Sequence, residues 1–213
     1  MSVTTSRKAK HPSALYVLFM TEMWERFAYY LLAGILFLYL IDTKEGGKGL
    51  TNKDAADITG TFLALIWLPL FIGGMIADRY FGYIKSIFIG GTLLAAGYLG
   101  LMLPGNTAMY VSLGLIIVGN GFFKPNISTI LGNIYNREDL KPLKDNAYNI
   151  FYMGINTGAL LCNFAAAYLR NKYSRGVNFH IGGLSVFING WGFAFGAAGI
   201  GMIIGLIVFG LNL

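Results

Sequence analysis

Thr21-Glu22-Met23-Trp24-Glu25-Arg26-Phe27-Ala28-Tyr29-Tyr30 lies in the middle of an apolar run from Pro12 to Ile41. A soluble helix would turn Glu22, Glu25 and Arg26 to water. Here Leu, Phe, Met, Trp, Ala and Ile surround them, so the helix is hydrophobic all round and needs lipid or protein about it. At about 100° per residue, Glu22, Glu25, Arg26, Tyr29 and Tyr30 share one stripe, with Glu22–Arg26, Glu25–Tyr29 and Arg26–Tyr30 each spaced i,i+4. Each charged side chain at bilayer depth costs roughly 2.5–3.5 kcal/mol on insertion scales. Charges on this stripe therefore need partners or a water-filled cavity, and the stripe reads as a pathway or relay.

The rest of the composition agrees. Of 213 residues, 55% are hydrophobic and 12% charged, with a mean hydropathy of +0.59. Charged residues make up about a quarter of a soluble domain, so this is a membrane composition. The net charge of +6 raises nucleic acid as a partner. The basic residues gather between apolar runs rather than along one polar face, which excludes that reading in favour of membrane flanks. The single cysteine, Cys162, excludes an intramolecular disulfide and any multi-cysteine metal site. His11 and His180 lie far apart beside predicted loops and form no ligand motif. Arg7, Lys8 and Lys10 before an apolar segment superficially resemble a signal peptide. The run is too long, carries Glu-x-x-Glu-Arg and lacks a small-residue cleavage site, so it reads as a retained first span.

Six apolar runs are long enough to cross about 30 Å of hydrocarbon: Ser13–Ile41, Ala55–Ala77, Lys85–Leu103, Thr107–Leu131, Ala147–Leu169 and Ser185–Leu211. No strand alternation competes, so the fold class is an all-α membrane protein, with residues 1–12 as a cytoplasmic N-terminal segment and 13–213 as a six-helix body. The polar connection Asp42–Asp54 lacks phosphate-loop spacing. Pro104-Gly105-Asn106 makes a tight turn, and Asn171–Gly183 is a polar loop. With six spans both ends share a side. The N-terminal segment and the 2–3 and 4–5 connections hold eight Lys/Arg against six on the other side, which favours a cytoplasmic N terminus. Gly154/Gly158, Gly192/Gly196 and Gly201/Gly205 are four apart and allow close helix approach. Trp191 suits an interfacial aromatic belt.

Arg26 and Lys124 are the only two basic residues left at membrane depth. Lys124 either faces the bundle interior or snorkels to an interface, and Pro125 predicts a kink beside it. Asn149, Asn156 and Asn163, seven apart, form an amide stripe that is either interhelical glue or part of a substrate site. One arginine cannot neutralise both Glu22 and Glu25, and Lys124 is the spare cation that balances them. Such a cluster is either a static helix clamp or a site that binds and releases a proton. No Ser/His/Asp set, metal spacing or redox motif supports an enzyme.

Glu22-x-x-Glu25-Arg26-Phe27-x-Tyr29-Tyr30 resembles a signature of the proton-dependent oligopeptide transporters of the major facilitator superfamily. Three further matches follow in order: Gly73-Gly74-x-x-Ala77-Asp78-Arg79-x-x-Gly82, Gly121-Phe122-Phe123-Lys124-Pro125-Asn126, and Phe151-Tyr152-x-x-Ile155-Asn156-x-Gly158-Ala159. The resemblance implies proton-coupled symport of di- and tripeptides across the cell membrane, inner or plasma, by alternating access. It places proton coupling on Glu22, Glu25 and Arg26 with Lys124 as ionic partner. Tyr29, Tyr30 and Asn156, with Trp67, would line the substrate pocket, and Asp78 and Arg79 would form a gating contact. It implies no cofactor, the proton being the coupling ion. Three departures stand out. Ala33 occupies a place where peptide-transporting members commonly carry arginine, a bidentate carboxylate anchor. Trp67 stands where a tyrosine is frequent. The family has twelve spans or more, so the resemblance implies the N-terminal half of a longer or split transporter, or a half that pairs with a second chain. The alternatives are transport of another small anion or a modified peptide, and a non-transporting half-length assembly partner.

Overall fold

The computed structural model describes residues 10–181 and 184–212. Most of the basic N-terminal segment therefore lies outside the described residues. Six helical spans form the bundle. The first is α1, Ser13–Ile41, about 43 Å long at 1.5 Å per residue. The second is discontinuous: α2, Asn52–Leu65, is followed by α3, Pro69–Ile76, and a π-helical turn, Ala77–Phe81. The others are α4 (Tyr83–Gly100), α5 (Asn106–Ile134), α6 (Lys144–Lys172) and α7 (Gly190–Gly210).

Two departures from the sequence reading have clear physical causes. The second span is not one helix, because Pro69 has no N–H to donate and begins a new helix at its first position. The sixth span does not start at Ser185. Val177–Ile181 (β1), in the expected polar loop, and Leu184–Ile188 (β2), most of it in the expected sixth span, pair antiparallel as a hairpin. Asn189 then caps α7, its Oδ1 accepting from Gly192 N at 2.9 Å. At Pro125 the expected kink produces no break, and α5 runs through it.

α1 packs on α6 and α7, α3 on α5, and α4 on α5 and α7. Exchanging the first span with the fourth, the second with the fifth and the third with the sixth maps these contacts onto one another. Three spans is an odd number, so the second triplet crosses in the opposite sense to the first, and the packing order has a two-fold pattern. The glycine spacing explains the close approach. A side chain at Gly154 would meet the Phe19 carbonyl, one at Gly201 would meet Trp24 and Phe27, and one at Gly205 would meet Trp24.

Trp191 belongs to the core rather than to an interfacial belt. It is 1% exposed, donates from Nε1 to Asp42 Oδ2 at 2.8 Å, and lies beneath the Arg170 guanidinium at 4.3 Å. Arg170 in turn pairs with Glu45 at 3.0 Å. Burial alone would raise the Asp42 carboxyl, but hydrogen bonds from Trp191 and from the N–H groups of Lys44, Glu45 and Gly47 outweigh it and hold it below its ordinary value of 3.8. A depressed carboxyl contributes stability that is complete above the unfolded value and is lost as pH falls through the folded one. We therefore expect Asp42→Asn to lose about 1–2 kcal/mol at neutral pH and to flatten the acid limb of the stability curve. Thermal melts in detergent between pH 2 and 7 check this, and an unchanged acid limb contradicts it.

Candidate functional site

α1 is held on two sides, and its charged stripe is buried between them. Glu22 is 2% exposed, Glu25 0% and Arg26 3%. Arg26 grips Glu25 with a two-pronged contact, Nε to Oε2 at 2.5 Å and Nη2 to Oε1 at 2.7 Å. The same Nε lies 3.4 Å from Glu22 Oε1. Glu22 Oε2 has no hydrogen-bond partner among the described residues. The geometry on this helix is thus one guanidinium shared by two carboxylates, with one buried oxygen left unsatisfied, a costly arrangement that a proton or a mobile cation would relieve.

The aromatic residues continue the stripe. The Arg26 guanidinium lies 4.9 Å from the centroid of the half-buried Tyr29 ring, and Tyr29 meets Tyr30 edge-on at 5.2 Å. Tyr30 is exposed, as is Asn156 on α6. Asn149 and Asn163 are exposed too, and among the described residues Asn163 bonds within its own helix, to Ala159 O at 3.1 Å. Among the described residues the amide stripe is therefore an open face rather than interhelical glue.

Lys124 makes no ion pair with the acids: Arg26 contacts both oxygens of Glu25 and one oxygen of Glu22, and the Lys124 ammonium sits on the Trp67 ring, 4.1 Å from its centroid. It remains close enough to feel the charges of Glu22, Glu25 and Arg26. Trp67 is half exposed at the break in the second span. Asp78 and Arg79 lie apart on the exposed π-helical turn, with Arg79 5.7 Å over the Tyr80 ring and Tyr83 beside Asp78.

Two residues here escaped the sequence reading. Tyr98 of α4 is fully buried near Glu25 and Arg26, and its hydroxyl has no partner among the described residues. Asn120 of α5 is 3% exposed and donates from Nδ2 to the Ile66 carbonyl at 2.8 Å. A tyrosine in an apolar helix reads as core, and an asparagine whose partner is a backbone carbonyl leaves no pattern. Asn120 sits one turn before Lys124 on a wheel, and that spacing was the available signal.

Six membrane-length helices around a buried ionic stripe define a multi-pass helical membrane bundle. Sequence and structure comparisons then fix the family. The profile described as PTR2, POT family, matches residues 84–211. The chain is 42% identical over 204 residues to the uncharacterized transporter YclF of Bacillus subtilis (strain 168), covering 95% of this chain and 38% of that one. It is 38% identical over 202 residues to a di-/tripeptide transporter of Lactococcus lactis subsp. lactis, covering 93% and 37%. Among solved structures, a peptide transporter POT in complex with sulfate matches with a TM-score of 0.82 at 38% identity, covering 95% of this chain and 38% of that one. The chain belongs to the POT family, and it spans a little over a third of the length of the relatives it matches.

Proposed function

We propose that this chain supplies the N-terminal six-helix half of a proton-coupled symporter for di- and tripeptides, completed by a C-terminal half in the same or a second chain. The carrying observation is the buried Glu22–Arg26–Glu25 cluster, one of its carboxylate oxygens without a partner among the described residues, set one turn from the two tyrosines. Glu22 and Glu25 take the proton, Arg26 holds them, and Lys124 supplies the balancing charge. Tyr29, Tyr30, Asn156 and Trp67 line the peptide side. Asp78 and Arg79 form the gate on the cytoplasmic side of the inner or plasma membrane, where the chain's N terminus and residues 1–12 also lie. Similarity to peptide permeases, among them the dipeptide and tripeptide permease A of Escherichia coli (strain K12) at 33% identity, supports the cargo class.

One elementary charge crossing 100 mV supplies about 2.3 kcal/mol, or roughly fiftyfold accumulation. In the assembled transporter, Glu22→Gln with Glu25→Gln is expected to collapse that accumulation toward equality while peptide exchange continues. Accumulation that stays pH-dependent in the double variant contradicts the proton role.

Ala33 favours a second cargo within the same mechanism, a small anion or modified peptide that needs no arginine anchor. Competition by a panel of dipeptides, nitrate and small carboxylates separates the two. Dipeptides displacing best supports the first reading.

A further inference from the structure

The break in the second span leaves backbone groups to be satisfied. Ile66 N still donates to Phe62 O at 3.0 Å, and Leu68 N donates to Leu65 O at 3.2 Å. Beyond Pro69, Leu70 N turns to Trp67 O at 3.5 Å, so the Ile66 carbonyl loses the donor that a continuous helix would give it. The Asn120 amide takes that place at 2.8 Å, from a side chain 3% exposed. One residue after Ile66 comes Trp67, and one turn after Asn120 comes Lys124. These two meet, ammonium over indole, at 4.1 Å. A hydrogen bond and a cation–π contact thus run in parallel between the same two helices, one turn apart.

Within this chain the two sides of the break are packed unequally. Below it, a side chain at Gly73 would meet the Gly121 backbone and one at Gly121 would meet Pro69, so α3 is clamped on α5. Above it, among the described residues, α2 buries Ala55 and Phe62. Trp67 stands at the junction of α2 and α3.

We infer that Asn120 is a positioning residue: by supplying the donor missing at Ile66 it holds the second span's break in register and so keeps Trp67 under Lys124. It touches neither cargo nor proton and acts through that pair. The inference takes the roles of Trp67 and Lys124 from the proposed function, but its geometry is separate from them.

The test reads Trp67 directly. The Trp67 share of tryptophan emission is the difference between the lipid-reconstituted chain and its Trp67→Phe variant. Lys124→Gln removes the ammonium and changes that share. Asn120→Leu, which removes the donor, is expected to produce at least half of the same change, and Asn120→Leu with Lys124→Gln is expected to add nothing further. Asn120→Asp keeps the shape of the side chain. With its carboxyl protonated it still offers an O–H to Ile66, and ionised it offers none. Its emission is therefore expected to match the parent at acid pH and Asn120→Leu at alkaline pH. In the assembled transporter the KM for cargo is expected to rise on the order of fivefold in Asn120→Leu with kcat nearly unchanged.

Trp67 emission that is the same in Asn120→Leu as in the parent overturns the inference. So does an Asn120→Asp variant whose emission matches Asn120→Leu at acid pH, or emission changes that add when Asn120→Leu and Lys124→Gln are combined. The emission readout does not pass through transport. Loss of peptide uptake for other reasons would count against the proposed function and leave this result standing.

Discussion

Arg26→Met is expected to destabilise the bundle by about 3–5 kcal/mol, the cost of leaving buried charges without their partner. Both carboxylates it serves are almost fully buried, and it is the only cation within ion-pair distance of either among the described residues. The triple change Arg26→Met, Glu22→Gln, Glu25→Gln removes the charges together and is expected to recover most of that loss, because a buried ionic group replaced whole is close to neutral. Recovery of stability would not bring back proton-driven accumulation. Thermal unfolding in lipid nanodiscs measures the loss and its recovery. A single variant within about 1 kcal/mol of the parent would mean that the ionic stripe is not held as described.

Gly158→Leu is expected to cost roughly 3 kcal/mol, at the upper end of overpacking penalties. A Cβ there would meet the Met23 carbonyl, Phe27 N at 2.8 Å and Arg26 Cβ at 3.2 Å. Two of these three are backbone atoms of α1, which cannot rotate away, so α1 and α6 must part at the level of the charged stripe. Gly60→Leu is the control. It lies on α2 with nothing within 4 Å of its Cβ position, and it is expected to stay within about 1 kcal/mol of the parent. Equal losses at both positions in the same nanodisc assay contradict the packing of α1 on α6.

Hydropathy made the six spans and the ionic stripe legible, because lipid tolerates charge only in special places and Glu22, Glu25 and Arg26 fall on one face. The same signal hid the break at Ile66–Pro69, where the apolar run is continuous and only proline's missing donor marks a boundary. It hid the hairpin as well. Leu184–Ile188 is apolar and abuts α7, so its residues were absorbed into the sixth span, although Val177–Ile181 alternates as a strand should. The site was half legible. A charge count brought Lys124 toward the acids, yet no count shows that Arg26 alone makes their ion pairs while the ammonium rests on Trp67. Trp191 shows the limit of local reading, since its partner Asp42 is 149 residues away in the chain.

That the buried acids of α1 exchange a proton is tested most directly by infrared difference spectroscopy of the lipid-reconstituted chain as pH is changed, beside the Glu22→Gln, Glu25→Gln variant. The expected result is a carboxylic-acid band that grows and fades with pH and is missing from the double variant. Identical difference spectra from the two proteins would contradict it.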